Sequence, residues 1–209
     1  MHEKVLSPHS RQLLAALDKM KSPALTGWTL AGGTGLALHL GHRISDDFDF
    51  FRTDNMDLRK LHDVFKKIGP YETLQEAEHT FTVLSEKTKV SFFRISDPFI
   101  FKSVPYRFFS LADVGDIALM KLIAISGRGS RKDFVDIYTI LRGGLTLQEC
   151  FDELPRKYLS GRANAYHILK SLTYFEDVEK EPMPTMLESF QWEDCKAYFV
   201  RETHAITLS

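Results

Sequence analysis

Residues 30–51 read LAGGTGLALHLGHRISDDFDFF. They continue a short strand-like run, Trp28–Ala31, that gives way to Gly32-Gly33-Thr34. A compact helix is expected over Gly35–Leu40 and stops at Gly41, because glycine takes the left-handed backbone of a helix C-terminus at no steric cost. The stretch closes on Asp46–Phe51, DDFDFF, where carboxylate and aromatic alternate with the period of a strand. Strand residues two apart leave the same face, so Asp47 and Asp49 project together while Phe48 and Phe50 turn to the core. Two such carboxylates repel unless a cation or hydrogen bonds lie between them. Mg²⁺ suits the pair, since it takes oxygen ligands and fills its other positions with water and phosphate oxygens. A bare acidic pair reads more readily as a solvated strand face.

The glycines supply the context. Placed between a strand and a helix, Gly32-Gly33-Thr34 can turn main-chain N–H groups and the helix N-terminus toward an anion. No Cβ then blocks a phosphate from the backbone. Triphosphate at the helix end and metal on the neighbouring strand form one coherent arrangement.

Outward from this stretch, Ser7-Pro8 reads as a helix start, with Leu13, Leu14, Leu17 and Met20 at helical spacing to about Lys21. Leu58, Leu61, Phe65 and Ile68 make Met56–Lys67 an amphipathic helix. Between Tyr71 and Ile95, TFTVL and KVSFFRI flank Glu86-Lys87-Thr88 and suggest a hairpin or meander. Helices are then expected over Asp113–Ser126, Arg131–Leu141, Leu147–Tyr158, Arg162–Glu176 and Trp192–Thr203. Strands cluster early and helices late. This predicts an α+β fold with a mixed sheet, flanking helices and a helical C-terminal half, divided into residues 1–110 and 111–209.

Composition narrows the classes. An apolar share of 44% in 209 residues is enough for a real core. The formal net charge of −1 excludes a surface coated in positive charge for gripping duplex nucleic acid. Cys150 and Cys195 stand far apart without a CxxC partner, which points to reduced thiols in a cytoplasmic protein. The charged N-terminus has no apolar run of signal-peptide or membrane-span length.

Further candidates carry ordinary readings beside the functional ones. Lys121 lies among Ile117, Met120, Ala124 and Ile125, so its ammonium must snorkel outward or find an anion. Asp133 falls in the first turn of its helix, where the dipole favours a carboxylate. Asp136, one turn later, suggests a local helix contact. His39 and His42 lack an evident third ligand for zinc. Tyr174, Phe175 and Trp192 read as core aromatics. Arg128, Arg131 and Lys132 either meet phosphate or form a solvated helix start.

Residues 30–51 together with DVGDIALMKLIAISGRGSRKDFVDIYTIL resemble the AbiEii/AbiGii nucleotidyltransferase toxin family, a branch of the polymerase-β-like nucleotidyltransferases. SLTYFEDVEKEPMPTM and Trp192 resemble its C-terminal region, so the likeness runs from about Thr29 to Phe199. It implies a phosphate turn at Gly32, Gly33 and Thr34, phosphate contact at Ser45, and metal at Asp47 and Asp49. It further implies Lys121 near the nucleotide phosphates, Asp133 as a catalytic carboxylate, and Arg43 as a helper at the triphosphate. One departure stands out: the strand KVSFFRI offers Ser91 where many relatives of this superfamily carry a third metal-binding carboxylate. The implied activity is Mg²⁺-dependent transfer of a nucleoside monophosphate from an NTP to an acceptor hydroxyl. RNA, notably tRNA, is the implied acceptor, and an antitoxin the implied partner. A protein acceptor, kinase-like phosphotransfer and a non-catalytic nucleotide-binding module are the rival readings.

Overall fold

The computed structural model describes residues 1–159 and 161–208. The chain divides into two compact units, Met1–Asp113 and Val114–Ser209.

The first unit is built on a seven-stranded mixed sheet. Its strands are β1 (Thr29–Ala31), β2 (Phe48–Arg52), β3 (Tyr71–Ala77), β4 (Thr80–Ser85), β5 (Thr88–Arg94), β6 (Val104–Tyr106) and β7 (Phe109–Leu111), in the order β3-β4-β5-β2-β1-β7-β6. β2 runs parallel to β5 and antiparallel to β1, whereas β1 runs parallel to β7. The alternation in DDFDFF does what its period requires: Phe48 and Phe50 are fully buried and Asp49 lies on the other face. Phe50 stacks on Phe92 of β5 at 5.2 Å, and Trp28 meets the same ring edge-on at 4.9 Å. Burial of each such ring contributes about 1.5–3 kcal/mol.

Three helices complete this core: α1 (Pro8–Met20), α2 (Gly32–Leu40) and α3 (Leu58–Ile68). Leu13, Leu14 and Leu17 of α1 and Leu61, Val64 and Phe65 of α3 join one buried cluster with the inward face of the sheet. Ser7 caps α1 by accepting from the Ser10 N–H, and Asp57 caps α3 by accepting from the Lys60 N–H. The β4–β5 hairpin turns on Glu86 and Lys87, both with positive φ (49° and 66°), the twist that a two-residue hairpin favours.

The second unit is helical: α4 (Val114–Arg128), α5 (Arg131–Arg142), α6 (Leu147–Lys157), α7 (Ala165–Leu172) and α8 (Trp192–Ala205). Phe134 of α5 gathers Phe175, Trp192 and Phe199 at 5.3, 6.1 and 5.5 Å. Tyr174 departs from the expected core role and is 51% exposed. Cys150 and Cys195 are both buried free thiols. Among the described residues no helix is long and apolar enough to cross a membrane.

The class matches the α+β expectation, and several boundaries differ. α2 starts at Gly32 and not at Gly35, so the glycines form its first turn. β2 starts at Phe48, which leaves Asp46 and Asp47 in the loop that enters it. α7 covers only Ala165–Leu172, because Asn164 caps it by accepting from the His167 N–H and the chain turns at Thr173. The β6–β7 hairpin has no counterpart in the sequence reading: strands of three residues are too short to show a period. Pro105 sits in β6, the sheet edge, where a missing N–H costs no ladder bond.

Candidate active site

In the first unit the acidic strand and the glycine turn converge. Asp49 is the Cα partner of Ala31, and a Cβ built on Gly32 would approach Asp49 Oδ2 to 3.0 Å. The carboxylate therefore lies against the first residue of α2. Gly32 has φ +65°, so glycine is favoured there on two counts, the backbone and the close approach. A Cβ on Gly33 would collide with the Arg43 guanidinium and come within 3.3 Å of Ser45 Oγ. Arg43 is buried, and its Nη1 donates to the Ile44 carbonyl at 3.1 Å. Thr34 donates a short hydrogen bond to the Asp47 carbonyl, which leaves Ser45 Oγ to donate to Thr34 Oγ1 at 2.8 Å.

Asp47 is half-exposed, at 52% of its side chain, and its Oδ2 is 3.4 Å from Lys89 Nζ. Lys89 shares a face of β5 with Ser91, and Ser91 is the in-register partner of Asp49. Asp47, though in the loop before β2, is thus on the same side of the sheet as Asp49. Ser91 is buried beside Asp49, so the position offers a hydroxyl in place of a third carboxylate. Gly32, Gly33, Thr34, Arg43, Ser45, Asp47 and Asp49 form one constellation.

The donor set fits a cation shared with substrate. Among the described residues no group of three or more His, Cys, Asp and Glu side chains is arranged to hold a metal ion. Mg²⁺ is commonly bound through one or two carboxylates with substrate phosphates and water completing its shell. Two carboxylates beside an uncharged helix start match that pattern better than an all-protein cage.

Lys121 and Asp133 belong to the second unit, where they make a buried triad with Asp136. Lys121 Nζ reaches Asp133 Oδ1 and Asp136 Oδ2 at 2.7 Å each. The side chains of Lys121, Asp133 and Asp136 are 10%, 14% and 0% exposed. Lys121 finds anions instead of snorkelling, and Asp136 reaches across to α4 where a local contact was expected. Burial pulls the Lys121 pKa down, but the carboxylates of Asp136 and Asp133 outweigh it and hold the ammonium above its ordinary value. Asp133 splits its oxygens: Oδ2 accepts from the Ser130 N–H and Oγ at 3.0 and 2.9 Å, and Oδ1 takes Lys121. The capping role and the ion pair coexist.

Other sequence candidates are structural. His39 Nε2 donates to the Ala112 carbonyl at 2.9 Å. Arg131 donates to the Val178 and Glu179 carbonyls at 2.9 and 2.6 Å and lies 4.9 Å over the Trp192 ring. Sequence reasoning missed Lys89; its parity with Ser91 in KVSFFRI was legible, but not the register that brings it to Asp47. It also missed the ion pair of Lys157 with Asp116, 2.7 Å apart and buried on α6 and α4.

Comparison with known proteins places the chain in a family. The uncharacterized protein aq_aa25 of Aquifex aeolicus (strain VF5) is 34% identical over 193 residues, covering 90% of this chain and 92% of that protein. MenT4, a nucleotidyltransferase toxin of Mycobacterium tuberculosis, superposes with a TM-score of 0.57 at 14% identity, over 94% of this chain and 83% of that one. The antibiotic-resistance factor ANT(2'')-Ia superposes with a TM-score of 0.54 at 15% identity, over 77% and 94%. These two similarities concern the fold. Residues 12–205 match the family described as nucleotidyl transferase AbiEii toxin, type IV toxin–antitoxin system. The chain belongs to the AbiEii nucleotidyl transferase toxin family and is a nucleotidyltransferase.

Proposed function

We propose that the chain transfers a nucleoside monophosphate from an NTP to a hydroxyl of RNA, with a tRNA 3′ end as the first acceptor to try, and that it is the toxin of a toxin–antitoxin pair. The observation that carries this reading is the Asp49 carboxylate against the first residue of α2, with Asp47 on the same side of the sheet. In such a transfer the acceptor oxygen bonds to the α-phosphorus, the bond to the β-phosphate bridge breaks, pyrophosphate leaves, and the hydroxyl proton passes to a base. Asp47 and Asp49 would hold Mg²⁺, which supplies charge stabilisation at the phosphates. The first-turn N–H groups of α2 suit a phosphate, since the N-cap Ala31 has no side-chain acceptor to occupy them. Arg43 and Ser45, held over Gly33, add a cation and a hydroxyl on the same side. The roles that the family likeness implies for Lys121 and Asp133, in nucleotide use and as a catalytic carboxylate, stay part of this proposal.

Incubation with α- or γ-labelled NTPs, total RNA and Mg²⁺ tests the proposal. Label moving from the α position to RNA is the expected result. Transfer of γ-label indicates a kinase, α-label on protein a different acceptor, and no transfer across metals and acceptors a binding module. A neighbouring gene whose product suppresses growth arrest by this chain is the expected sign of the antitoxin.

A further inference from the structure

Asp46 precedes the acidic pair and belongs to neither the sheet nor the metal set. Its Oδ1 accepts from the Ser7 N–H at 2.7 Å and from Ser10 Oγ at 2.8 Å. Ser10 Oγ also lies 3.2 Å from the Asp46 carbonyl, 3.0 Å from Ser7 Oγ and 3.1 Å from Thr88 Oγ1. A serine hydroxyl has one proton. Directed along the short contact to Oδ1, it leaves the Ser7 and Thr88 hydroxyls as donors to Ser10. The result is a closed relay between the N-cap of α1, the loop entering β2 and the first residue of β5. Ser10 and Thr88 are fully buried, so the relay is shielded from competing water. On the other side of Asp46, the Ser45 N–H donates to the Val5 carbonyl at 3.0 Å. Residues 45–47 are therefore fastened at Ser45 and Asp46, directly before the carboxylate that the proposed mechanism uses.

We propose that Asp46 is a positioning residue that sets Asp47 and Ser45 for metal and phosphate, and that it works as a hydrogen-bond acceptor and not as a third metal ligand. The proposal rests on the nucleotidyl-transfer reading above. Its chemical signature follows from both donors meeting the same oxygen. An amide oxygen accepts those two hydrogen bonds as a carboxylate oxygen does, whereas a metal ligand needs the charge.

The test compares Asp46→Asn, Asp46→Ala and Ser10→Ala in the full chain, following α-label transfer against Mg²⁺ concentration. Asp46→Ala is expected to raise the half-saturating Mg²⁺ and lower kcat by roughly ten- to a hundredfold, the scale of an ångström's misplacement. Ser10→Ala should fall between, and Asp46→Asn should stay near wild type. A merely destabilised fold lowers the active fraction without moving the Mg²⁺ midpoint. Asp46→Asn as impaired as Asp46→Ala would make the charge essential and overturn the proposal, as would an unmoved midpoint in Asp46→Ala. Should wild type itself transfer no label, the functional reading fails alone. Amide hydrogen exchange over residues 45–47 then decides: faster exchange in Asp46→Ala and Ser10→Ala but not in Asp46→Asn supports the relay, and unchanged exchange refutes it.

Discussion

Asp49 and Gly32 are matched sterically, because a Cβ on Gly32 would press within 3.0 Å of the carboxylate. Removing either proposed metal carboxylate, by Asp47→Ala or Asp49→Ala, is expected to lower label transfer on the order of a thousandfold, several kcal/mol of charge stabilisation. Folding should be retained in Asp47→Ala, because its half-exposed pair with Lys89 is worth only about 0–1 kcal/mol. Circular dichroism and thermal melting check the fold; transfer at wild-type rate in both variants refutes the metal assignment. Gly33→Ala is expected to displace the buried Arg43 guanidinium, destabilising by about 1–3 kcal/mol and weakening NTP use. Nucleotide affinity equal to wild type would count against that prediction. The alternation of Asp47 and Asp49 with phenylalanine was legible from period alone. The partners Lys89 and Ser10 were not, since they arrive through strand register and helix placement, which local spacing does not encode.

At the level of elements, α4 and α5 are joined by charge in a low-dielectric setting. Asp136→Ala would leave Lys121 buried with one carboxylate in place of two, and is expected to destabilise by roughly 3–5 kcal/mol. Denaturant titration measures this directly. Asp133→Ala removes the capping box as well as a partner, but at a less buried site, so an added cap loss of about 1 kcal/mol applies to it alone. A cost for Asp136→Ala within 1 kcal/mol, the range of about 0–1 kcal/mol typical of a surface pair, would contradict the triad. Long elements with caps were readable: Ser7-Pro8 gave the start of α1, and Gly143 the end of α5. The β6–β7 hairpin was not, because its strands are short and its turn residue Arg107, at φ 52°, lacks the glycine that would mark it. The early start of α2 escaped for a related reason. Glycine is a poor helix former, and Gly32 and Gly33 stand in the first turn because Asp49 of β2 and Arg43 before it press against them.

For the chain as a whole, pH acts on stability from both ends. The Glu3 carboxyl is held below its ordinary value of 4.5, first by the Tyr106 hydroxyl and then by Arg107. A lowered folded pKa means stability fully present above the unfolded value and lost as pH falls through the folded one. Glu3→Gln should therefore flatten the acid limb of the stability curve as pH falls below 4.5, with little change near the alkaline end. Lys121 works oppositely: its raised pKa gives stability that is complete below 10.5 and fades as pH climbs through the folded value. An acid limb equally steep in Glu3→Gln would remove that carboxyl from the account. The α+β class was visible in the early strands and late helices. Sheet order was not, since β1 lies between β2 and β7 through pairings that join distant parts of the chain.

The two thiols have a use that their burial creates. Cys150 is pushed up to about 12 by burial, with Glu149 adding to the effect, and burial raises Cys195 as well. Alkylating reagents attack thiolates, so both sulfurs stay inert until their surroundings open. Since they are the sequence's complete stock of cysteine and both lie beyond Val114, iodoacetamide uptake becomes a stopwatch for the opening of the helical unit.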